Sequence, residues 1–267
     1  MMSFVKWSGS KRSQAKSIVE EISKIDFDTY YEPFLGSGAV LGRLKPKKAV
    51  CSDIYEPLIE LWKLIRDNPE KVVSNYTKQW EKLQEIGHLY FYEVRDRFNA
   101  KKNPLDLLFL SRTCVNGLIR FNKAGQFNNA LHHSRKGMAP KKLEAIINEW
   151  SKLLKYYDIE QGDYRELTAS ATKNDLVYLD PPYFNNKNRY LENIDHAKFI
   201  EYLEKLNQKG VKFVLSYDGH SESKTYAHLI PPHLYKRKIM LHSGLSAFRK
   251  VQDKTKDTVH ESLYINF

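Results

Sequence analysis

The chain has 267 residues, 42% of them apolar and 13% aromatic, enough to bury a full core and to exclude a disordered or low-complexity polymer. Its net charge of +11 is uneven: residues 59–157 hold 18 Lys/Arg against 10 Asp/Glu, an excess of +8, while the rest carries +3. No apolar run approaches the ~18 residues of a membrane span, and Met1–Trp7 lacks the apolar centre of a secretory signal. Cys51 and Cys114 make no metal-ligand spacing, so a cytoplasmic chain with free thiols and no metal centre is expected.

Taken in order, Lys6-Trp7-Ser8-Gly9-Ser10-Lys11 reads as a small-residue loop. Ala15, Ile18, Val19 and Ile22 behind it follow helical spacing. Such a loop suits a cofactor bearing a carboxylate and a positive centre, with Lys11 for the first and the Trp7 ring for the second. Residues 30–41 then read as a strand, a tight turn at Gly36-Ser37-Gly38 and a helix start. Ala49–Asp53 reads as a second strand ending in an acid. An acid at this distance beyond a glycine turn is placed to grip a ribose diol. Leu41 stands where a third glycine would complete a dinucleotide fingerprint, which favours a nucleoside cofactor without pyrophosphate.

From Glu56 the pattern becomes helical: Leu58, Leu61, Trp62 and Ile65 share a face, and Asn68-Pro69, Pro104 and Pro140 open further helices. No carboxylate falls between Asp106 and Glu144, a gap that holds Arg112, Arg120, Lys123, Arg135, Lys136, Lys141 and Lys142. A basic excess confined to one segment is the footprint of a polyanion site. Within it, residues 116–128 alternate and carry glycines, the pattern of a hairpin or loop bearing base-reading Arg and Asn side chains.

The α/β pattern resumes near Gly162-Asp163-Tyr164. Leu176-Val177-Tyr178-Leu179 is a buried strand closing on Asp180-Pro181-Pro182-Tyr183. A carboxylate, a carbonyl and a ring at a strand's carboxyl end suit a base held by its exocyclic amino group and stacked on Tyr183. Asp195 caps a helix bearing Phe199, Ile200, Leu203 and Leu206, and strands follow at 211–217, 236–241 and 261–267. The expected organisation is an α/β catalytic domain split between 1–58 and 158–267, with a mostly helical insertion at 59–157.

These motifs, in this order, resemble the Dam-type (D12 class) DNA adenine N6-methyltransferases over nearly the whole chain. The resemblance implies a Rossmann-like, S-adenosylmethionine-dependent methyltransferase sheet domain with an inserted DNA target-recognition domain containing a hairpin. It implies cofactor contacts from Trp7, Lys11, Phe34, Gly36, Gly38, Asp53 and Asp180, with Asp163 and Tyr164 at the cofactor's adenine. It implies catalysis at Asp180, Pro181, Pro182 and Tyr183, with Lys6, Asn116, Leu118, Arg120, Asn122, Asn128, Arg135 and Lys136 at the DNA. Two departures stand out: Tyr55 replaces an Asn frequent in the family, and Asn129–Ser134 lacks the Pro and Tyr of GATC-specific members.

The implied reaction extrudes an adenine from duplex DNA and methylates its N6 directly, without a covalent enzyme intermediate or a metal. Alternatives are an N4-cytosine methyltransferase, a non-catalytic DNA-binding module on the same fold, and a nucleotide oxidoreductase. Double-stranded DNA is the expected partner. A cognate restriction endonuclease is expected if the chain serves restriction-modification, a role whose sequence signature an orphan regulatory enzyme shares.

Overall fold

In the computed structural model of the chain, the described residues are 1–132, 134, 136–182, 194–221, 224–225, 230–245 and 258–267. Tyr183 and Arg135, both expected at the site, lie outside them.

Strands β1 (Tyr30–Glu32), β2 (Ala49–Asp53), β3 (Tyr157–Gln161), β4 (Leu176–Leu179) and β5 (Lys212–Ser221) run parallel in the order β3-β2-β1-β4-β5. The short β6 (Lys224–Thr225) pairs with β5. β8 (Thr258–Ile265) inserts antiparallel between β5 and β7 (Arg237–Leu245). β1 and β4 are buried throughout, as Leu176-Val177-Tyr178-Leu179 requires of a strand covered on both faces. β3 is half exposed, with Tyr157 and Ile159 inward and Asp158 and Glu160 outward.

Tyr30 pairs with Ala49 on one side and Leu176 on the other. The chain leaves β1 toward β2 and enters β4 from the opposite side, so the strand order reverses between them. Open sheets form a ligand crevice at such a reversal, outside the carboxyl ends. Glu32 and Leu179 end the two strands there.

Helix α1 (Ala15–Ile22) precedes β1, and α2 (Leu41–Leu44) follows it. Among the described residues, five α-helices stand between β2 and β3: α3 (Glu56–Asp67), α4 (Pro69–Ile86), α5 (His88–Lys101), α6 (Pro104–Thr113) and α7 (Pro140–Leu154). Their starts follow the local chemistry. Proline occupies the first turns of α4, α6 and α7, where its missing N–H costs nothing. The Asn68 and Asn103 side chains accept the Lys71 and Leu105 amides. α3 runs unbroken through residues 58 and 59, so it belongs to both the sheet and the inserted helices.

The inserted helices and one face of the sheet share a single apolar cluster. Phe4 meets Trp62 edge-on at 4.4 Å, Trp62 meets Trp150 at 4.8 Å, and the Trp150 indole donates to the Met2 carbonyl at 2.8 Å. The other face is covered by α9 (His196–Gln208), through Phe199, Tyr202, Leu203 and Leu206, and by the single turn α8 (Tyr164–Leu167). Asp195 caps α9 by accepting the Ala197 and Lys198 amides. No helix among the described residues is long and apolar enough to cross a membrane.

One expectation needs correction. Arg112 was counted with the polyanion-facing charges, but α6 is buried on all sides and Arg112 with it. Its guanidinium donates to the Ser3 and Phe4 carbonyls, and burial lowers its pKa to about 10. It ties the amino-terminal segment to the inserted helices.

Candidate active site

One cavity opens at the carboxyl ends of β1, β2 and β4. Trp7, Lys11, Phe34, Gly36, Asp53, Asp163, Tyr164, Asp180, Pro181 and Pro182 all line it. The structure thus gathers nearly every expected cofactor and catalytic residue described.

The loop after β1 is built around Gly36. Its φ of +47° favours glycine, and a Cβ there would stand 2.9 Å from Cδ1 of the Trp7 ring. The Gly36 N–H donates to Asp53 Oδ2 at 3.0 Å, and its carbonyl accepts the Trp62 indole at 3.1 Å. Asp53 Oδ1 accepts the Tyr55 N–H at 3.1 Å. Burial raises the Asp53 pKa, opposed by these backbone hydrogen bonds. Gly38 does not line the cavity; its φ is +62°, and a Cβ would stand 2.6 Å from the Trp62 ring and 3.1 Å from that of Trp150. Packing against these two rings requires a glycine there.

On the far wall Phe34 and Tyr164 lie 5.3 Å apart at 33°. Asp163 caps α8 through the Arg165 N–H and holds the Arg165 guanidinium at 2.8 and 3.0 Å. The Arg165 hydrogen bond keeps the Asp163 carboxyl below its ordinary range.

On the near wall Lys11 Nζ stands 2.6 Å from Asp180 Oδ1 and 2.9 Å from Glu261 Oε1. The Lys11 and Glu261 side chains are each 6% exposed, and Asp180 is 19% exposed at the cavity. Burial pushes the Asp180 pKa upward, Lys11 opposes this, and Glu261 adds to it. Glu32 closes the floor; Tyr30 donates to it at 2.7 Å, and burial raises its pKa to about 8, which favours the protonated form at neutral pH.

Apart from Lys6, the expected DNA residues among the described ones lie on the segment beyond α6. Cys114 bridges Leu131, Phe121 bridges Phe127, and Asn122 N–H donates to the Gln126 carbonyl, closing a hairpin. Exposed Arg120 donates to the Asn128 carboxamide at 3.0 Å. Asn122 accepts the Ala124 and Gln126 amides through its side chain, so it shapes the turn. Asn116 is exposed at a positive φ, Leu118 is half-buried, and Lys136 is exposed. Lys6 lies along Gly117, where an added Cβ would stand 2.0 Å from the Lys6 stem.

Sequence reasoning missed Ile54, Tyr55, Ile119 and Phe121, which also line the cavity. Ile54 carried a signal: an apolar residue directly after a strand-ending acid, here 47% exposed. Ile119 and Phe121 sit on the hairpin, whose approach to the cavity follows from tertiary packing: the Ser8 hydroxyl donates to the Ile119 carbonyl at 3.0 Å, and Phe121 meets Tyr55 at 5.5 Å.

A glycine turn, a strand-ending acid and a carboxylate thus meet at the reversal of a Rossmann-like sheet, where open α/β sheets bind their ligands. Residues 7–241 match the D12 class N6 adenine-specific DNA methyltransferases, and the chain belongs to that family. It is 29% identical to the Type II methyltransferase M.MjaIII of Methanocaldococcus jannaschii, over 99% of this chain and 98% of that one. It is 27% identical to the Type II methyltransferase M1.LlaDCHI of Lactococcus lactis, over 80% of each chain. It is also 27% identical to the DNA adenine methylase of Vibrio cholerae, over 67% of this chain and 64% of that one. The protein is an adenine-specific DNA methyltransferase.

Proposed function

We propose that the cavity takes S-adenosylmethionine and presents Asp180 to the N6 amino group of an adenine extruded from duplex DNA. The observation that carries this is the meeting, in one cavity, of the Gly36–Asp53 loop, the Phe34–Tyr164 wall and Asp180.

The lining fits such a cofactor. Asp53 offers carboxylate oxygens for a ribose diol, Ile54 and the Phe34–Tyr164 pair offer apolar faces for a purine, and Trp7 offers a ring face for a sulfonium. Gly36 leaves no side chain between loop and ligand. When bound, the cofactor supplies an electrophilic methyl group on sulfur.

This chain's own residues then orient and polarise. Asp180 and the Pro181 carbonyl accept the two N6 hydrogens, which turns the nitrogen lone pair toward the cofactor side of the cavity. Lys11 holds the Asp180 carboxylate in position rather than meeting the cofactor's carboxylate. Catalysis in this reading is orientation plus electrostatic preorganisation. Tyr183 follows Pro182 directly and is the stacking ring by sequence. Residues 59–157 form the target-recognition part, in which Arg120 and Asn128 read bases, Asn116 and Leu118 brace the space left by the flipped base, and Lys6, Arg135 and Lys136 meet the DNA. Two relatives named Type II methyltransferases support a restriction-modification role beside a cognate endonuclease.

The test is to incubate duplex DNA with purified protein and S-adenosylmethionine, then map modified bases by long-read sequencing. N6-methyladenine confined to one short motif is expected, and none with Asp180→Asn. Full modification by Asp180→Asn overturns the assignment.

A further inference from the structure

The charged core beneath Asp180 contains a group that the reaction scheme above does not use. Lys11 reaches Asp180 directly after β4, Glu261 on β8 and, at 3.4 Å, the Gly9 carbonyl in its own loop. Glu261 turns its second oxygen to the Gln14 amide, Oε2 to Nε2 at 2.5 Å. Gln14 sits one turn beyond Lys11, and its N–H donates to the Lys11 carbonyl. Gln14, Lys11 and Glu261 are all buried. The result is a relay, Gln14 to Glu261 to Lys11 to Asp180, stapling the loop before α1 across two strands of the sheet.

We propose that Glu261 is a positioning residue for methyl transfer: by sharing the Lys11 ammonium and fixing it against Gln14, it sets the orientation and the charge of Asp180. This rests on the reading of Asp180 given above.

The physical case is a balance of charge and geometry. An ammonium bound to Asp180 alone would neutralise the carboxylate that must accept hydrogen bonds from an amino group. Shared between two carboxylates, it neutralises Asp180 less completely while still fixing its side chain. A buried cation among fixed partners is strongly localised, since leaving any of them unpaired costs heavily. The titratable groups near Asp180 among the described residues include Lys11, Glu261, Glu32 on β1 and Tyr178 on β4. Burial favours the protonated form of Glu32 at neutral pH and keeps Tyr178 neutral, so Glu261 is the carboxylate that balances Lys11 against Asp180.

The experiment compares wild type, Glu261→Gln, Glu261→Asp and Asp180→Asn in methylation of duplex DNA across the acid-to-neutral range, with folding checked by thermal melting. Glu261→Gln keeps the shape and removes the charge. It is expected to lower kcat about ten- to a hundredfold, as for a displaced reacting group, with KM for DNA and cofactor unchanged. Because Glu261 raises the Asp180 pKa, the acid limb of its rate profile should move to lower pH. Glu261→Asp, which keeps the charge, should recover most of kcat and return the limb toward wild type. A folded Glu261→Gln with wild-type kcat and an unmoved limb overturns the proposal. So does a folded Glu261→Asp no better than the Gln variant; if the Gln variant fails to fold, a folded Glu261→Asp with kcat about a hundredfold below wild type overturns it instead. Asp180→Asn separates the two readings: if it is inactive while Glu261→Gln is normal, only the positioning role falls. If Asp180→Asn is fully active, the assignment of Asp180 itself falls.

Discussion

Asp53 accepts the backbone N–H of Gly36 at 3.0 Å, joining the end of β2 to the turn after β1. The same carboxylate holds the Tyr55 amide, so one side chain shapes both lips of the cavity. Asp53→Ala releases both amides, at about 1–3 kcal/mol for an unmet buried donor. S-adenosylmethionine binding by calorimetry should weaken at least about tenfold, while DNA binding persists.

Gly38→Ala should be costly although Gly38 does not line the cavity. The substitution forces a Cβ into a left-handed backbone and into the Trp62 and Trp150 rings. The conformation alone costs roughly 1–2 kcal/mol, and the collision adds to it. Thermal melting should show a drop of several degrees, with cofactor affinity of the surviving folded protein little changed.

Glu32 gives stability a pH dependence of definite sign. Its folded value is about 8 against an ordinary 4.5. The unfolded chain therefore loses this proton first, and the contribution of Glu32 to stability, complete below 4.5, drains away as pH rises toward 8. The slope is at most about 1.4 kcal/mol per pH unit. Glu32→Gln removes the slope. Denaturation midpoints of the variant should gain on those of wild type from pH 5 to pH 8; a constant difference across that window would mean that Glu32 is ionised in the fold.

Arg120 tests the reading of bases. Its guanidinium is exposed and already oriented by Asn128. Arg120→Ala should cost about 1–3 kcal/mol on the cognate site and relax one base position. Equal weakening on all sequences, with a shallower salt dependence, would make it a phosphate contact instead.

The sheet was legible where burial leaves a local signature. Leu176–Leu179 is apolar without interruption because both its faces are covered, and the stripe of α7 through Leu143, Ile147, Trp150 and Leu154 is periodic because one face is. β3 escaped notice because Tyr157-Asp158-Ile159-Glu160-Gln161 is half exposed and offers only two inward residues. Gly87 ends α4 at a positive φ and starts α5, a break hidden inside a continuous helical pattern. The cavity's motif residues were legible because each sits at a strand end or a glycine turn. Glu261 and Phe121 were not: their roles depend on which distant segments meet, and neither carries a local mark. Arg112 misled for the same reason, since a buried arginine and a DNA-facing one look alike in sequence.

The hairpin alternates: Ile119 and Phe121 turn inward to the cavity, and Arg120 between them turns out to solvent. One short run of backbone therefore has a side facing each of the two substrates in the proposed reaction. Binding free energies linked through a shared element are reciprocal. If a matching sequence draws Arg120 into register, the inner face settles on the small ligand, and the loaded cavity in turn favours the matching sequence by the same factor. Fidelity then resides partly in how long the methyl donor stays, and a search along unmatched DNA proceeds with a looser grip on it.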